Sequence, residues 1–293
     1  MRLVYYALGG GLGHLVRARA FLHTLGLAQD AVLITASPHA RDARVTGDLE
    51  ILAAPQSLEH DAVAFRAWLV RELERLAADC LCVDVFPAGI LGELCDFPTG
   101  LVGSWWHVAR LLRWNEYATL IGGAAPRYER VFRVEKLADA QQQFLDQHSD
   151  RCEDLHLIDS APVAACVEAQ PYWLVVHSGP AQEVADLIAY AEEVRAMEGV
   201  EVPLLVATLD APARLPAGAH LLDVYPAAAY FAAAQRIFSA AGFNVMRQTT
   251  LFRDKQMLLP MPRRFDDQFE RARRAAGTHA NAAGNSGAPA RSR

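Results

Sequence analysis

A chain of 293 residues has room for two domains of ordinary size. Hydrophobic residues make up 52% and charged ones 21%, which excludes a disordered polymer. The formal net charge of -6 excludes a globally basic nucleic-acid binder. Five cysteines (Cys80, Cys82, Cys95, Cys152 and Cys166) are odd in number and lack zinc-ribbon spacing, so they read as buried thiols of a reducing compartment. No apolar run reaches the roughly 18 residues that span a bilayer, and Leu3 to Leu8 is too short for a signal-peptide core. The expectation is a cytoplasmic protein.

Leu3 to Leu8 is β-branched and aromatic, which predicts a buried strand broken by the glycines Gly9 to Gly13. Leu15, Ala18, Phe21, Leu22 and Leu25 then recur at helical spacing until Gly26. Ala31 to Thr35 predicts a second strand. Val63, Trp68, Leu69, Leu73 and Leu76 share one face of a long amphipathic helix within 57–78. Cys80 to Val85 predicts a strand ending in Asp84-Val85-Phe86-Pro87, with a helix starting near Pro87 and carrying Glu93. Further strands are expected at Gly100 to Gly103 and at Leu155 to Ile158.

The pattern then restarts. Tyr172 to Val176 predicts a strand, His177 to Pro180 a turn, and Ala181 to Met197 a helix. Strands follow at Pro203 to Thr208, His220 to Val224 and Arg236 to Ser239, with a short helix over Ala227 to Ala234. Gly242 opens another helix, and Leu258 to Pro260 carries a short strand. The later part of Arg263 to Arg274 reads as helical. Alternating strands and helices imply an α/β protein with parallel sheets and right-handed crossovers. The expected organisation is a first domain over 1–160, a second over 170–275, and a disordered tail over 276–293, where periodicity is lost.

Both halves place a glycine turn between a strand and a helix, where backbone N–H groups and the helix dipole favour an anion. The first loop, Gly9 to His14, departs from the dinucleotide fingerprint. His14 replaces its third glycine, and no acidic residue ends the second strand, which argues against a dehydrogenase. His14 opens its helix and, as neutral imidazole, can take a proton from a hydroxyl; the alternative is a structural histidine. Asp84, at a strand's carboxyl end, either serves an acceptor hydroxyl or caps the next helix. Ser178 and Gly179 offer N–H groups to phosphate or form a plain turn. Ser104 to Trp114 mixes aromatic and basic residues, suited to a membrane surface, to stacking on sugar, or to ordinary core packing.

Four segments in order carry a family resemblance: Gly9 to His14, Asp84 to Leu94, Val175 to Pro180, and Tyr225 through Asp267-Gln268. The chain resembles the nucleotide-sugar glycosyltransferases of the GT-B fold, and within them the branch containing the bacterial N-acetylglucosaminyltransferase that makes lipid II. The resemblance implies two Rossmann-like domains facing across a cleft, with the acceptor held by the first and the donor by the second. It implies an inverting, metal-independent transfer of a hexosyl group, with no cofactor, from a nucleotide diphosphate sugar, often UDP-linked. The acceptor would be a carbohydrate or lipid-linked, with peripheral contact at the inner face of the membrane as one option and no nucleic acid partner.

The resemblance also assigns roles. His14 and Asp84 are the catalytic candidates. Gly11, Gly13, Ser178, Gly179, Gly242 and Asn244 surround the donor's diphosphate. Gln248 stands where relatives carry a glutamate for the ribose, and Asp267 with Gln268 matches the pair that grips the transferred sugar. Ala241 replaces a second glycine, and the terminal helix that crosses back in many relatives reads here as the tail. These departures keep open a binding protein that has lost catalysis; a nucleotide-sugar epimerase on the same fold is the other alternative, for which only Asp84 and Asp267 offer acidic groups.

Overall fold

The computed structural model describes residues 1–58, 60–160 and 170–284. The first domain runs β1 (Leu3–Ala7), α1 (Leu12–Thr24), β2 (Ala31–Thr35), α2 (Ala43–Thr46), β3 (Glu50–Ala53), α3 (Ala62–Leu76), β4 (Cys80–Asp84), β5 (Ser104–Ala109), α4 (Trp114–Ile121), β6 (Tyr128–Arg133), α5 (Asp139–Gln147) and β7 (Ser149–Asp154). The second runs β8 (Trp173–Val176), α6 (Ala181–Glu198), β9 (Leu204–Ala207), β10 (Ala219–Leu222), β11 (Arg236–Ser239), α7 (Phe243–Gln248), β12 (Gln256–Leu258) and α8 (Gln268–Gly284).

The first sheet has seven strands in the order β3-β2-β1-β4-β5-β6-β7, and the second has five in the order β10-β9-β8-β11-β12. All the strand pairings are parallel. Counted within each domain, the order begins 3-2-1-4-5 in both. The chain therefore reverses direction beside β1 and β4 in one sheet and beside β8 and β11 in the other. Open α/β sheets bind ligands at the carboxyl ends of such strands.

Burial on both faces explains the continuous apolar strands. Along β1, Val4 and Tyr6 enter one core layer, and Leu3, Tyr5 and Ala7 enter the opposite one. The helix α3 is started by Asp61, whose carboxylate accepts from the N–H groups of Val63 (3.1 Å) and Ala64 (2.9 Å). It buries Phe65, Trp68, Leu69, Leu73 and Leu76, each worth about 1.5–3 kcal/mol for the larger apolar side chains. In the second domain α6 buries Val184, Leu187, Ile188 and Ala191 against its sheet.

Several expectations are corrected. Gly100 to Gly103 is not a strand; a 3-10 turn over Thr99–Leu101 leads into β5. Leu155 to Ile158 follows β7 as coil. No helix begins near Pro87: the stretch from Val85 to Phe97 is a chain of turns, and Glu93 within it is fully buried, bonded by the Tyr6 hydroxyl and by the N–H of Leu91 at 2.8 Å. Trp105, Trp106 and Trp114 lie in the core at 5%, 8% and 8% exposure, so the aromatic stretch is a central strand and its exit, not a membrane-facing helix.

The tail assignment also changes. The last helix continues to Gly284, so residues 276–284 are helical; residues 285–293, and Cys166, lie outside the described residues. This helix, expected to be replaced by the tail, is present and reaches back to the first domain. Its approach pairs with the first domain through a bridge between Leu112 and Asp266 and a bond from Arg113 N–H to the Phe265 carbonyl (2.7 Å). Phe265 then fills a first-domain cluster with Phe86, Leu112, Trp114 and Tyr117. Arg271 reaches both Glu135 oxygens (2.8 and 2.7 Å) while donating to the Ala241 carbonyl (2.8 Å), joining the domains.

Candidate functional site

The carboxyl ends of the two sheets enclose an interdomain cleft of about 880 Å³. Three helices present amino termini to it without a side-chain cap: α1 behind Gly11, α6 behind Pro180 and α7 behind Gly242. Uncapped N–H groups are orphan donors with a partial positive charge, which suits an anion. Neither α1 nor α7 has an acidic residue in its first turn.

On the first-domain wall His14 is held by a buried carboxylate. Asp84, 3% exposed, receives Arg17 through Nε (2.7 Å) and Nη2 (2.6 Å), the Tyr5 hydroxyl (2.8 Å), and His14 Nδ1 at 2.7 Å. Burial pushes the Asp84 pKa up, but the Arg17 charge and hydrogen bonds outweigh it and hold the carboxyl well below its ordinary range. An ionised Asp84 only accepts, so the 2.7 Å contact places the ring proton on His14 Nδ1 and the lone pair on Nε2. Burial lowers the His14 pKa further than Asp84 raises it, so the ring is neutral at pH 7.

Two backbone features fix this cluster. A Cβ at Gly9 would come within 2.3 Å of His14 Nε2, so only glycine admits the ring there. Val85, directly after Asp84, has φ +68°, in a tight turn where the Phe86 N–H bonds the Asp84 carbonyl (2.8 Å). A β-branched residue in that region is strained, and such strain gathers at functional sites.

The second-domain wall contains a different network. Glu183, in the first turn of α6, is bound by both Arg263 terminal nitrogens and by His177 Nε2 (2.7 Å). A Cβ at Gly179 would meet His177 Nε2 at 2.3 Å and Glu183 Oε2 at 2.5 Å, so the Gly179 backbone lies directly on this pair. Between the walls, Arg110 is 7% exposed and binds Asp266, which also receives Arg271 (3.0 Å). Burial would raise the Asp266 carboxyl, yet the two arginines bring it down to about 2.

Of the residues singled out from sequence, Gly11, Gly13, His14, Ser178, Gly179, Gly242, Asn244, Gln248 and Gln268 all line the cleft. Asn244 also ties the domains, its Nδ2 donating to the Gly13 carbonyl at 2.8 Å. The Gln248 amide donates to Asp159 (3.2 Å), which Arg247 also grips, while Gln268 accepts from the Met261 N–H (3.0 Å). Two placements differ. Asp84 sits behind His14 rather than facing the cleft, and so touches it only through that ring. Asp267 caps α8, accepting from the Glu270 N–H (3.0 Å), and its neighbour Asp266 is the cleft-lining carboxylate.

Sequence reasoning passed over Arg17, Arg110 and Glu183, and read Gly9 and His177 only as parts of turns. Arg17 was findable: it stands three residues after His14 and so shares its helical face. Arg110 meets Asp266, and Glu183 meets Arg263, only through tertiary contacts with no local signature.

No family model matches the sequence, and no curated protein matches it. Solved structures do resemble the fold. One is a spinosyn rhamnosyltransferase, SpnG, complexed with thymidine diphosphate, at 15% identity over 96% of this chain and 85% of that one, with a TM-score of 0.63. Another is the glycotransferase of kitacinnamycin, at 14% identity over 94% and 84%, with a TM-score of 0.61. A third is S. aureus MnaA with UDP, at 11% identity over 89% and 80%, with a TM-score of 0.61. The two parallel-sheet domains facing across a cleft are thus the GT-B fold of glycosyltransferases.

Proposed function

We propose that the chain is a glycosyltransferase that moves a sugar from a nucleoside diphosphate to a hydroxyl acceptor with inversion. The observation carrying this reading is the Tyr5–Asp84–Arg17–His14 cluster, which holds a neutral imidazole on one wall of the cleft, opposite the uncapped helix ends of the other. In the proposed step the acceptor O–H gives its proton to His14 Nε2 while its oxygen attacks the anomeric carbon. The bond from that carbon to the diphosphate oxygen breaks, and the electron pair leaves with the nucleoside diphosphate. Asp84 fixes the ring's tautomer and stabilises the imidazolium that forms.

The departing negative charge is met by N–H groups at Gly179 and Gly242 and by Arg263 on the cleft lip. Gln268 and Asp266, where α8 begins, stand where a transferred sugar's hydroxyls would be read, with Asp267 supporting the helix start. Gln248 offers its carbonyl to the nucleoside. UDP is the first donor base to test, and the resemblance to the lipid II branch makes a lipid-linked or carbohydrate acceptor the first to try. None of the helices among the described residues is long and apolar enough to cross a membrane.

The test is turnover of UDP-, TDP- and GDP-sugars with and without candidate acceptors, following the anomeric configuration by NMR. Transfer with inverted configuration is the expected result. Acceptor-independent conversion of the nucleotide sugar into an epimer would replace this reading with the epimerase, and absence of any turnover with retained nucleotide binding would replace it with the binding protein.

A further inference from the structure

The network beneath Gly179 is electrically balanced before any ligand arrives. Glu183 is ionised: burial raises its pKa, but Arg263 and His177 lower it more. Arg263 is its counter-charge at 31% side-chain exposure, while the His177 side chain is 9% exposed. Burial lowers the His177 pKa further than Glu183 raises it, so the ring is neutral at pH 7 and the cluster has no net charge. Glu183 accepts from His177 Nε2–H, which leaves Nδ1 as the free proton acceptor. The charged groups facing the ring are Glu183 on α6 and Arg263 ahead of α8; Asp210, after β9, shares the cleft wall.

The Gly179 backbone rests on the Nε2–Cδ2 edge of this imidazole, so an anion on the loop's N–H groups would lie a few ångströms from it. Resting on the reading of this cleft as a nucleoside diphosphate site, we propose that His177 is the charge-balancing residue of the donor side and takes up one proton when the diphosphate binds. The proton enters at Nδ1. The Nε2 bond to Glu183 stays, and the added ring charge frees Arg263, which also donates to the Pro262 carbonyl (3.0 Å), to face the phosphates. The Glu183–His177 pair thus gains a positive charge where the ligand brings a negative one.

The sign of the pH dependence follows. The empty-state pKa of His177 is below 6.5, and the bound-state value is higher because an anion favours the protonated ring. Affinity is therefore full below the empty-state pKa and is lost as pH rises through the bound-state one, by up to about tenfold per pH unit for one proton.

The experiment is calorimetric titration with UDP, TDP and GDP between pH 5.5 and 8.5, comparing the wild type with His177→Gln. The ligands' own ionisation is common to both proteins and cancels in the comparison. The wild type is expected to lose affinity with rising pH more steeply than the variant, by up to about tenfold per unit. A second measurement uses the wild type alone: titrations at pH 7.5 in buffers of different ionisation enthalpy should show net proton uptake. Equal slopes in the two proteins, or zero uptake or proton release, would overturn the inference and leave the diphosphate site standing. Failure of all three nucleotides to bind at every pH would instead overturn the site reading, and the inference with it.

Discussion

His14 owes its usefulness to a ring that is neutral and has its proton fixed. Asp84 supplies the second property, and Arg17 keeps Asp84 ionised so that it can. Replacing His14 with Ala should lower kcat by about 10²- to 10⁴-fold with nucleotide affinity retained; a loss confined to affinity would remove it from the chemistry. Gly9→Ala should lower kcat as well, because the added methyl takes the space of the ring, and a circular dichroism melt should show the domain still folded. Because burial lowers the His14 pKa, the proposed base is protonated and idle only at acid pH. At saturating donor, kcat should rise with pH as His14 loses its proton and then level, with the bound anion moving the midpoint above its empty-site position; a kcat that falls with rising pH would contradict a neutral-imidazole base. His14 was legible from its place after a glycine loop. Its dependence on Gly9 was not, since it arises where the ring folds back on the backbone.

Elements join the domains here as much as the linker does. The helix α8 carries Arg271 into a buried junction with Glu135 of the first domain, Asp266 and the Ala241 carbonyl ahead of α7. Removing one partner from such a junction strands buried charge, so Arg271→Ala should destabilise the protein by about 3–5 kcal/mol, read from chemical denaturation. A change near zero would show that the junction is open in solution. Strands β1, β2, β4 and β8 were readable because both faces of a parallel sheet are apolar. The strand β5 was missed because Ser104-Trp105-Trp106-His107 looks amphipathic, yet His107 bonds the Val83 carbonyl (3.0 Å) and both tryptophans pack inward. The helix α8 was cut short because its later residues lack an apolar stripe; its docking rests on the Arg271 and Arg274 side chains near its start, the latter reaching the Lys136 carbonyl.

Across the whole molecule, a repeated strand–glycine–helix plan in two halves was enough to imply two domains and a cleft between them. The order of strands and the crossing helix came only from three-dimensional pairing. Most glycines named from sequence converge on one cavity, which is what a shared anion site requires. The central claim is that a nucleoside diphosphate lies against the helix ends in that cavity. Gly242 offers a clean way to test it: a Cβ there would meet only Val245 Cγ1, at 4.0 Å, and its φ of -68° suits any residue. The decisive measurement is calorimetric titration of UDP, TDP and GDP against the wild type and Gly242→Val, with melting temperatures for both. The account predicts that at least one nucleotide binds the wild type and that binding collapses in the variant while its melting temperature holds. Unchanged binding in a folded Gly242→Val protein would contradict it.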